Sequence, residues 1–339
     1  MRALIALAAV MTLACVGYAG AQVSALHPIF TVVVPYAALA LFIGGFVYRV
    51  ISWARSPVPF RITTTCGQQK SLDWIPSSRL DNPHTTWGVI GRMALEVLCF
   101  RSLLRDTKAE LHHGEKGVKV AYGDNIWLWA AGLAMHWAFL LVVLRHLRFF
   151  VEPVPSFVLA LQELDGFMEI GKPTVLITGV VLLVAASYLF LRRLYSPQLR
   201  YISLVADYFP LFLILFIGLT GVMLRYFFRT DVTSVKELTL SLASFHPRVH
   251  EGLHWLFYVH FFLVCVLLAY FPFSKLMHMG GVFLSPTRNL ANDNRMRRHV
   301  NPWAEKAKVY PYAKYEDEFR TKMIEAGIPV ERDLVTEEK

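Results

Sequence analysis

Four histidines lie inside or directly beside long apolar stretches, where an imidazole is unfavourable unless a partner satisfies it. The stretch 127–150 carries His136 and His146, 10 residues apart, and a later stretch carries His260, with His278 following 18 residues further on. At 3.6 residues per turn, 18 residues make five whole turns, so the last two side chains share one face of a helix. The later stretch can therefore direct two imidazoles at one partner helix, and the stretch 127–150 is a candidate for that partner.

Two helices that each offer two histidines can form two His/His pairs, which is how a helical bundle holds a haem iron from both sides. The spacings differ, however, because 10 residues cover about 15 Å of helix axis and 18 residues about 27 Å. Antiparallel helices could match them by tilting, by a break at Pro272, or by holding a haem at a slant. His250 and His260 are also 10 apart and would match His136 and His146 without strain. The spacing alone leaves both ligand sets open.

Composition indicates that these helices cross a membrane. The chain has 339 residues, of which 55% are apolar and only 17% charged, and its mean hydropathy is +0.44. A soluble domain of this size has about 25% charged residues. The sequence therefore predicts an all-α fold, a polytopic membrane helical bundle with about six transmembrane helices, over residues 3–21, 31–53, 127–150, 173–194, 204–228 and 254–273. The first of these also fits a signal peptide, and a retained helix is the preferred interpretation.

The charges divide the chain into four parts: two N-terminal transmembrane helices (1–53), a polar loop (54–124), a four-helix core for two haems (125–280) and a tail (281–339). The loop holds ten Lys and Arg and the chain from Ser274 onward twelve, whereas 148–172 holds two and 229–253 three. Because basic segments stay in the cytoplasm, the loop and the tail are predicted to be cytoplasmic. An amphipathic helix is expected over 87–104, on the membrane surface or against a partner, and the tail is expected to dock on a soluble partner.

The four cysteines contain no CxxC and no close pair. An iron–sulfur cluster normally requires clustered cysteine ligands, so we expect neither a cluster nor a disulfide framework on this chain. The net charge of +9 belongs to the segments that flank the apolar spans, which argues against nucleic acid as a partner.

The segment 271–278, FPFSKLMH, carries a resemblance to a known family. It resembles the cytochrome b (gamma) subunit of membrane-bound nitrate reductases, in which a helix with two histidines 10 apart faces one with two histidines 18 apart, interrupted by FPF[ST][KR]L-x-H. This resemblance implies that His146 pairs with His260 near the outer face and His136 with His278 toward the cytoplasm, as axial ligands of two haem irons.

Four further segments are similar to the M subunit family of the Dsr membrane complex, which is linked to sulfite reduction and sulfur oxidation: TTCGQQKSL (64–72), DYFPLFLIL (207–215), FPFSKLMHMGG (271–281) and LSPTRNLAN (284–292). That resemblance implies two haem b groups, oxidation of menaquinol, and electron delivery to an iron–sulfur partner, the K subunit, on the cytoplasmic side of the inner membrane. The sulfur chemistry itself would lie on other subunits.

Oxidation of a quinol releases two protons and two electrons, so a base near the outer haem is expected. The candidates on that side are Asp165, Glu169, His250, His254 and Lys172, and the last occupies the place of a quinol-binding lysine in the nitrate reductase family. The plain alternative for each is a solvated interface. Basic side chains that could pair with haem propionates gather at the same face, although membrane anchoring explains them equally well: Arg145, Arg148, Arg225 and Arg229.

Three other functions remain open from the sequence. The chain could serve another respiratory reductase, of the nitrate or heterodisulfide type. It could be a haem-bearing anchor without a quinol site. It could also be a proton-coupled transporter without haem, in which intramembrane histidines relay protons.

Overall fold

A computed structural model describes residues 1–56, 67–114, 117–166, 174–228, 230–250, 252–296 and 309–331. Glu169, Lys172 and Arg229 lie outside these described residues. The helices of the described part are α1 (Arg2–Gln22), α2 (Val34–Ala54), α3 (Thr86–Cys99), α4 (Arg101–Leu104), α5 (Ile126–His146), α6 (Ser156–Asp165), α7 (Ile177–Tyr195), α8 (Pro197–Ile202), α9 (Val205–Tyr226), α10 (Val232–Ala243), α11 (Trp255–Tyr270), α12 (His278–Leu284), α13 (Pro286–Asn289) and α14 (Tyr312–Glu325). One antiparallel hairpin joins β1 (Thr107–Gly114) to β2 (Gly117–Asp124).

Six helical segments of the described chain are long and apolar enough to cross a bilayer, which confirms the predicted all-α polytopic fold. Their mean hydropathy ranges from 1.7 to 2.1, and large apolar side chains such as Leu41 and Val184 point outward. A helix that is apolar all round is typical of a lipid-facing span. The six segments are Arg2–Gln22, Ser24–Ala54, Ile126–Phe149, Ile177–Tyr195, Val205–Tyr226 and Trp255–Phe273.

The spans pack in the order α5, α7, α9, α11 and α2, and α1 lies against both α9 and α11. Ala6 and Val10 of α1 are fully buried there. Gly17 lets α1 approach closely, because a Cβ at this position would lie 3.1 Å from the Cα of Val259. The first helix is thus packed as part of the bundle, and its retention stays a prediction.

The alternating direction of the spans gives the bundle two ends. We call the end that carries β1, β2 and α12 the hairpin end, and the end where α5 finishes the arginine end. At the hairpin end, Arg2 donates from Nη1 to the carbonyl of Tyr201 at 3.0 Å. At the arginine end, the hydroxyl of Tyr36 donates to the carbonyl of Leu242, also at 3.0 Å. The N-terminus and the loop between α2 and α5 therefore share the hairpin end.

Helix α11 stops at Tyr270 because Pro272 has no N–H to continue it. Two 3-10 turns follow, Phe271–Phe273 and Lys275–Met277, with Ser274 extended between them (φ −119°, ψ 177°). The chain is thereby redirected before His278. A straight helix would have carried this histidine about 27 Å beyond His260, so the break removes the mismatch between the two spacings.

The loop before α5 is more regular than the sequence analysis anticipated. The stretch predicted as an amphipathic helix contains α3 and α4, separated at Phe100, whose φ of 50° lies in the left-handed region. The hairpin was not predicted. Its strands place Leu111 opposite Val120 and Ala109 opposite Tyr122, all on one face.

Candidate functional site

Two of the four predicted histidines meet at the hairpin end. The ring centroids of His136 and His278 are 5.9 Å apart, with an angle of 78° between the ring planes. The Nδ1 atom of His136 lies 2.7 Å from the carbonyl oxygen of Gly132, and that of His278 lies 2.8 Å from the carbonyl oxygen of Lys275. Because a carbonyl only accepts, each Nδ1 carries the proton and donates, which leaves the lone pair of each ring on Nε2.

The other two histidines lie near each other at the arginine end. His146 Nδ1 donates to the carbonyl of Val142 at 2.7 Å, and His260 Nδ1 lies 2.9 Å from the hydroxyl oxygen of Thr220. The Thr220 hydroxyl donates to the carbonyl of Phe216 at 2.7 Å, so its oxygen is free to accept from His260. The two imidazoles are near enough to repel each other if both were charged.

These four side chains fit the axial ligation of two haems. Within the described chain, none of the four Nε2 atoms has a hydrogen-bond partner, whereas each Nδ1 has one. In metal-binding histidines, a hydrogen bond at the other ring nitrogen orients the imidazole. Rings that share one metal have facing nitrogens roughly 4 Å apart, since each metal–imidazole bond is about 2 Å. The 5.9 Å between the centroids of His136 and His278 is compatible with this.

The helices that carry His136, His146 and His260 are not tightly packed on each other. Helix α5 packs closely on α7, and α11 packs on α9 and α1, but the backbones of α5 and α11 do not pack densely on each other in the described chain. The described residues also contain no cluster of three or more His, Cys, Asp or Glu that could hold a bare metal ion. A haem needs only two protein ligands, so paired histidines between separated helices suit haem better than a bare ion.

Basic side chains surround the pair at the arginine end. Arg145 and Arg148 lie close enough to His146 to interact with it electrostatically, and Arg225 interacts with Arg145. Arg145 is buried and forms an ion pair with Asp165, with 3.0 Å between Nε and Oδ2. Among the described residues, only Arg145 of these three cations is shown in an ion pair with a carboxylate, so an anionic group such as a propionate would meet positive charge here.

Arg225 carries an unsatisfied buried donor. Its Nη2 lies 3.4 Å from the carbonyl of Thr174, while its Nε is buried without a hydrogen-bond partner in the described chain. Arg148 donates to Gln162 and lies over the ring of Phe149. A buried guanidinium with an unused N–H is unfavourable unless an anion completes it.

The predicted quinol-site residues are not all together. Asp165 accepts from the amide and the hydroxyl of Thr178, at 2.7 and 2.6 Å, so it caps α7 in addition to pairing with Arg145. His250 Nδ1 lies 3.5 Å from Oε2 of Glu237, and its Nε2 is buried without a partner among the described groups. His254 accepts from the amide of Leu256 and so caps α11.

Sequence reasoning missed several residues at these sites. Thr220 and Gly221 lie on α9 beside the His260 ring, and a Cβ on Gly221 would lie 3.2 Å from its Cε1. At the hairpin end, Phe100 packs edge-on against His136, with 5.0 Å between ring centroids. Phe100 also borders a cavity of about 340 Å³ lined by Glu96, Phe100, Ser102, Leu103, Asp106 and Arg288. No short motif marks these residues, because they come from separate elements.

Comparison with known proteins shows the family of this chain. Residues 84–299 match the family described as nitrate reductase gamma subunit. An "Hdr-like menaquinol oxidoreductase cytochrome b-like subunit" from Archaeoglobus fulgidus is 48% identical over 282 residues, 81% of this chain and 83% of that protein. A protein with the same description from Archaeoglobus profundus is 42% identical over 276 residues, 79% of this chain and 81% of that protein. The chain belongs to the nitrate reductase gamma subunit family.

Proposed function

We propose that this chain is a dihaem cytochrome b subunit that oxidises menaquinol and passes the electrons to a soluble iron–sulfur subunit on the cytoplasmic side of the membrane. One observation carries the proposal: the rings of His136 and His278 lie 5.9 Å apart at one end of the bundle, His146 and His260 are near each other at the other end, and each Nδ1 is engaged while no described group bonds to Nε2. The description of both relatives as menaquinol oxidoreductase subunits supports the choice of substrate.

His146 with His260, and His136 with His278, would hold the two haems, and each haem would supply reversible one-electron chemistry. The chain's own residues orient the ligands. The carbonyls of Gly132, Val142 and Lys275 and the hydroxyl of Thr220 fix the tautomer and the plane of each ring. Arg145, Arg148 and Arg225 would pair with propionates at the arginine end.

Quinol would be oxidised at the arginine end, where its two protons can leave to water. His250 is the described residue best placed to accept one, because an imidazole can act as a general base and its Nε2 is buried without a described partner. Glu237, 3.5 Å from Nδ1, would stabilise the imidazolium. Lys172, Glu169 and His254 remain candidates for binding the quinol, whereas Asp165 is engaged with Arg145 and Thr178 and would act by positioning them.

The partner and the membrane side follow from charge and resemblance. The basic loop and tail favour a cytoplasmic hairpin end. The segments shared with the Dsr M subunit family make a sulfur-metabolism complex with a K-type iron–sulfur subunit our first assignment. A nitrate- or heterodisulfide-type reductase is the alternative, and purification of the native complex with mass spectrometry of its subunits distinguishes the two.

The proposal is tested on the purified native complex by a reduced-minus-oxidised optical spectrum and a haem assay. We expect a b-type signal with two haems per chain, and reduction of those haems when a menaquinol analogue is added. A protein without haem would instead be consistent with a proton-coupled transporter. Two haems that menaquinol fails to reduce would indicate a haem-bearing anchor and would contradict the catalytic half of the proposal.

A further inference from the structure

Two of the sequence segments that mark this chain meet in space, although the proposed function gives neither of them a role. Gln69 belongs to TTCGQQKSL and Asn292 to LSPTRNLAN. The Nε2 of Gln69 donates to the Oδ1 of Asn292 at 2.9 Å, across 223 residues of sequence. A contact between such distant segments calls for a physical explanation.

Asn292 is the centre of a buried hydrogen-bond cluster. Its Nδ2 donates to Oδ1 of Asn82 at 2.5 Å, and its backbone N–H donates to the carbonyl of Pro83 at 2.7 Å. Asn82 in turn donates to the carbonyl of Gly67 at 3.3 Å. Gln69, Asn82 and Asn292, which we call the latch, are all buried, and none has a buried side-chain atom left without a partner. Such a fully satisfied cluster specifies one arrangement of the segments that it joins.

The latch holds the far end of the chain that begins with His278. We call residues 278–292 the arm; it contains α12 and α13. On the near side of His278, Lys275 Nζ pairs with Asp207 Oδ1 at 2.6 Å, which ties the break after α11 to the start of α9. Along the arm, Arg288 Nη1 lies 3.2 Å from Oε2 of Glu96 on α3.

Few side chains of the arm are buried. Helix α12 contains no buried residue, and the side chain of His278 itself is exposed. The helix bundle supports the chain on both sides of His278, because Met277 is buried and a Cβ on Gly280 would lie 3.2 Å from Phe46 of α2. The polar contacts at Lys275, Arg288 and Asn292 add to this support and hold the far end of the arm.

We propose that the latch is a positioning device for His278, which holds its imidazole opposite His136 and thereby sets the affinity and the reduction potential of the haem at the hairpin end. This inference rests on the proposed function, because it needs two histidine-bound haems. It assigns Gln69, Asn82 and Asn292 a role that acts through His278 and leaves the pair at the arginine end unaffected.

The test replaces Asn292 by leucine, which keeps the size of the side chain and removes its two side-chain hydrogen bonds, to Gln69 and to Asn82. Asn289→Ala is the matched control: Asn289 lies on the same arm, but its Nδ2 donates to the carbonyl of Phe283 within that arm. We expect Asn292→Leu to lose the haem at the hairpin end, or to bind it at least ~10-fold more weakly, with a change in the potential and low-spin signal of that haem only. His136→Ala identifies which signal belongs to that site.

The loop side of the contact provides a second variant. Gln69→Leu removes one hydrogen bond to Asn292, and we expect a smaller change in the same haem. In the double variant, the two changes should be less than additive, because they remove the same interaction. Full additivity would mean that the residues act separately and would contradict the latch.

A measurement that does not depend on latch variants uses hydrogen exchange. Coupling between sites is reciprocal, so loss of His278 should loosen the latch if the latch positions His278. The amide of Asn292, bonded to Pro83, should exchange faster in His278→Ala than in the wild-type complex, and His146→Ala should leave it unchanged.

The possible failures are distinguishable. A wild-type complex without haem overturns the proposed function. A wild-type complex with two haems, together with Asn292→Leu that keeps both haems with unaltered potentials, or with equal exchange at Asn292 in the two histidine variants, overturns the latch alone.

Discussion

The two proposed histidine pairs differ in what positions their second histidine, His260 at the arginine end and His278 at the hairpin end. At the arginine end, His146 and His260 both lie on regular transmembrane helices, and α9 brings Thr220 and Gly221 against the His260 ring. At the hairpin end, His136 also lies on a transmembrane helix. Its partner, His278, instead follows the break at Pro272 and lies on a segment held by hydrogen bonds and ion pairs.

The two proposed ligand pairs thus have two kinds of support within one fold. Packing between helices in lipid is insensitive to pH and salt, whereas polar contacts near water respond to both. We therefore expect the arginine end to be vulnerable to changes in helix packing, and the hairpin end to changes in the loop and in the arm.

The largest effect is expected from a side chain forced between α9 and His260. In Gly221→Leu, the new side chain meets the imidazole, since even its Cβ would lie 3.2 Å from Cε1. We expect complete loss of the haem at the arginine end and retention of the other, measured as haem per chain. Gly44→Leu is the control, because nothing lies within 4 Å of a Cβ there. Loss of both haems, or of neither, would contradict the independent support of the two sites.

The next effect concerns the buried ion pair at the arginine end. Asp165→Ala leaves Arg145 buried without its carboxylate and also removes the cap of α7. Breaking a buried pair costs about 3–5 kcal/mol, so the thermal unfolding midpoint in detergent should fall clearly. Glu152→Gln is the control. The Glu152 carboxylate pairs with Lys236 at the surface, so its removal should change the unfolding midpoint little. Equal midpoints for both variants would show that the pair does not stabilise the bundle.

A smaller effect is expected from the hydrogen bond that orients His260. Thr220→Val removes the hydroxyl that accepts from Nδ1 and keeps the shape of the side chain. Loss of such an outer-shell partner typically weakens binding about 10–100-fold, and a less electron-rich ligand should raise the reduction potential of that haem. Redox titration checks this, with Thr12→Val as the control, since the Thr12 hydroxyl bonds only within α1. A shift in the other haem instead would reverse our assignment of the two sites.

The smallest effect is expected from loss of the Asp81 carboxylate at the hairpin end. The hydrogen bond from Arg101 holds the pKa of the Asp81 carboxyl below its ordinary value, Arg105 and Ser78 add to this, and partial burial opposes it. A carboxyl with a lowered folded-state pKa stabilises the fold above its unfolded value of about 3.9 and loses that contribution as the pH falls below it. Asp81→Asn should therefore destabilise by about 1 kcal/mol at pH 7, and the difference from wild type should disappear in acid.

The control for this prediction is Asp73→Asn, because Asp73 is fully exposed and pairs only with Lys70 at the surface. The measurement is the thermal unfolding of the two variants and the wild type at several pH values between neutral and acidic. A difference for Asp81→Asn that grows as the pH falls would have the wrong sign and would exclude the assigned cause.

The sequence predicted the six spans well, because their length and apolar composition are local properties. It could not decide between His278 and His250, since helix geometry alone favours the equal spacing. The structure brings His278 to His136, because the chain turns at Pro272 and Ser274. It places His250 beside Glu237. That redirection depends on two residues within one apolar stretch.

Other features of the site depend on contacts between distant segments. Arg288 contacts α3, and Asn292 contacts the loop before it, although each contact joins residues about 200 positions apart. No periodic pattern in the sequence predicts such a contact. The hairpin was not predicted, because its alternation of apolar and polar residues is short and every neighbouring element is helical. Asp165 was one candidate for the base near the quinol, and its capping and pairing roles depend on where α5 and α7 place Arg145 and Thr178.

The central claim is that His136, His146, His260 and His278 hold two haems, and it is tested most directly by haem content in His278→Ala and His250→Ala prepared side by side. We predict that the His278 variant retains one haem per chain, with the spectrum of the arginine-end site, and that the His250 variant retains both. Retention of both haems without His278, together with loss of one without His250, would contradict the account.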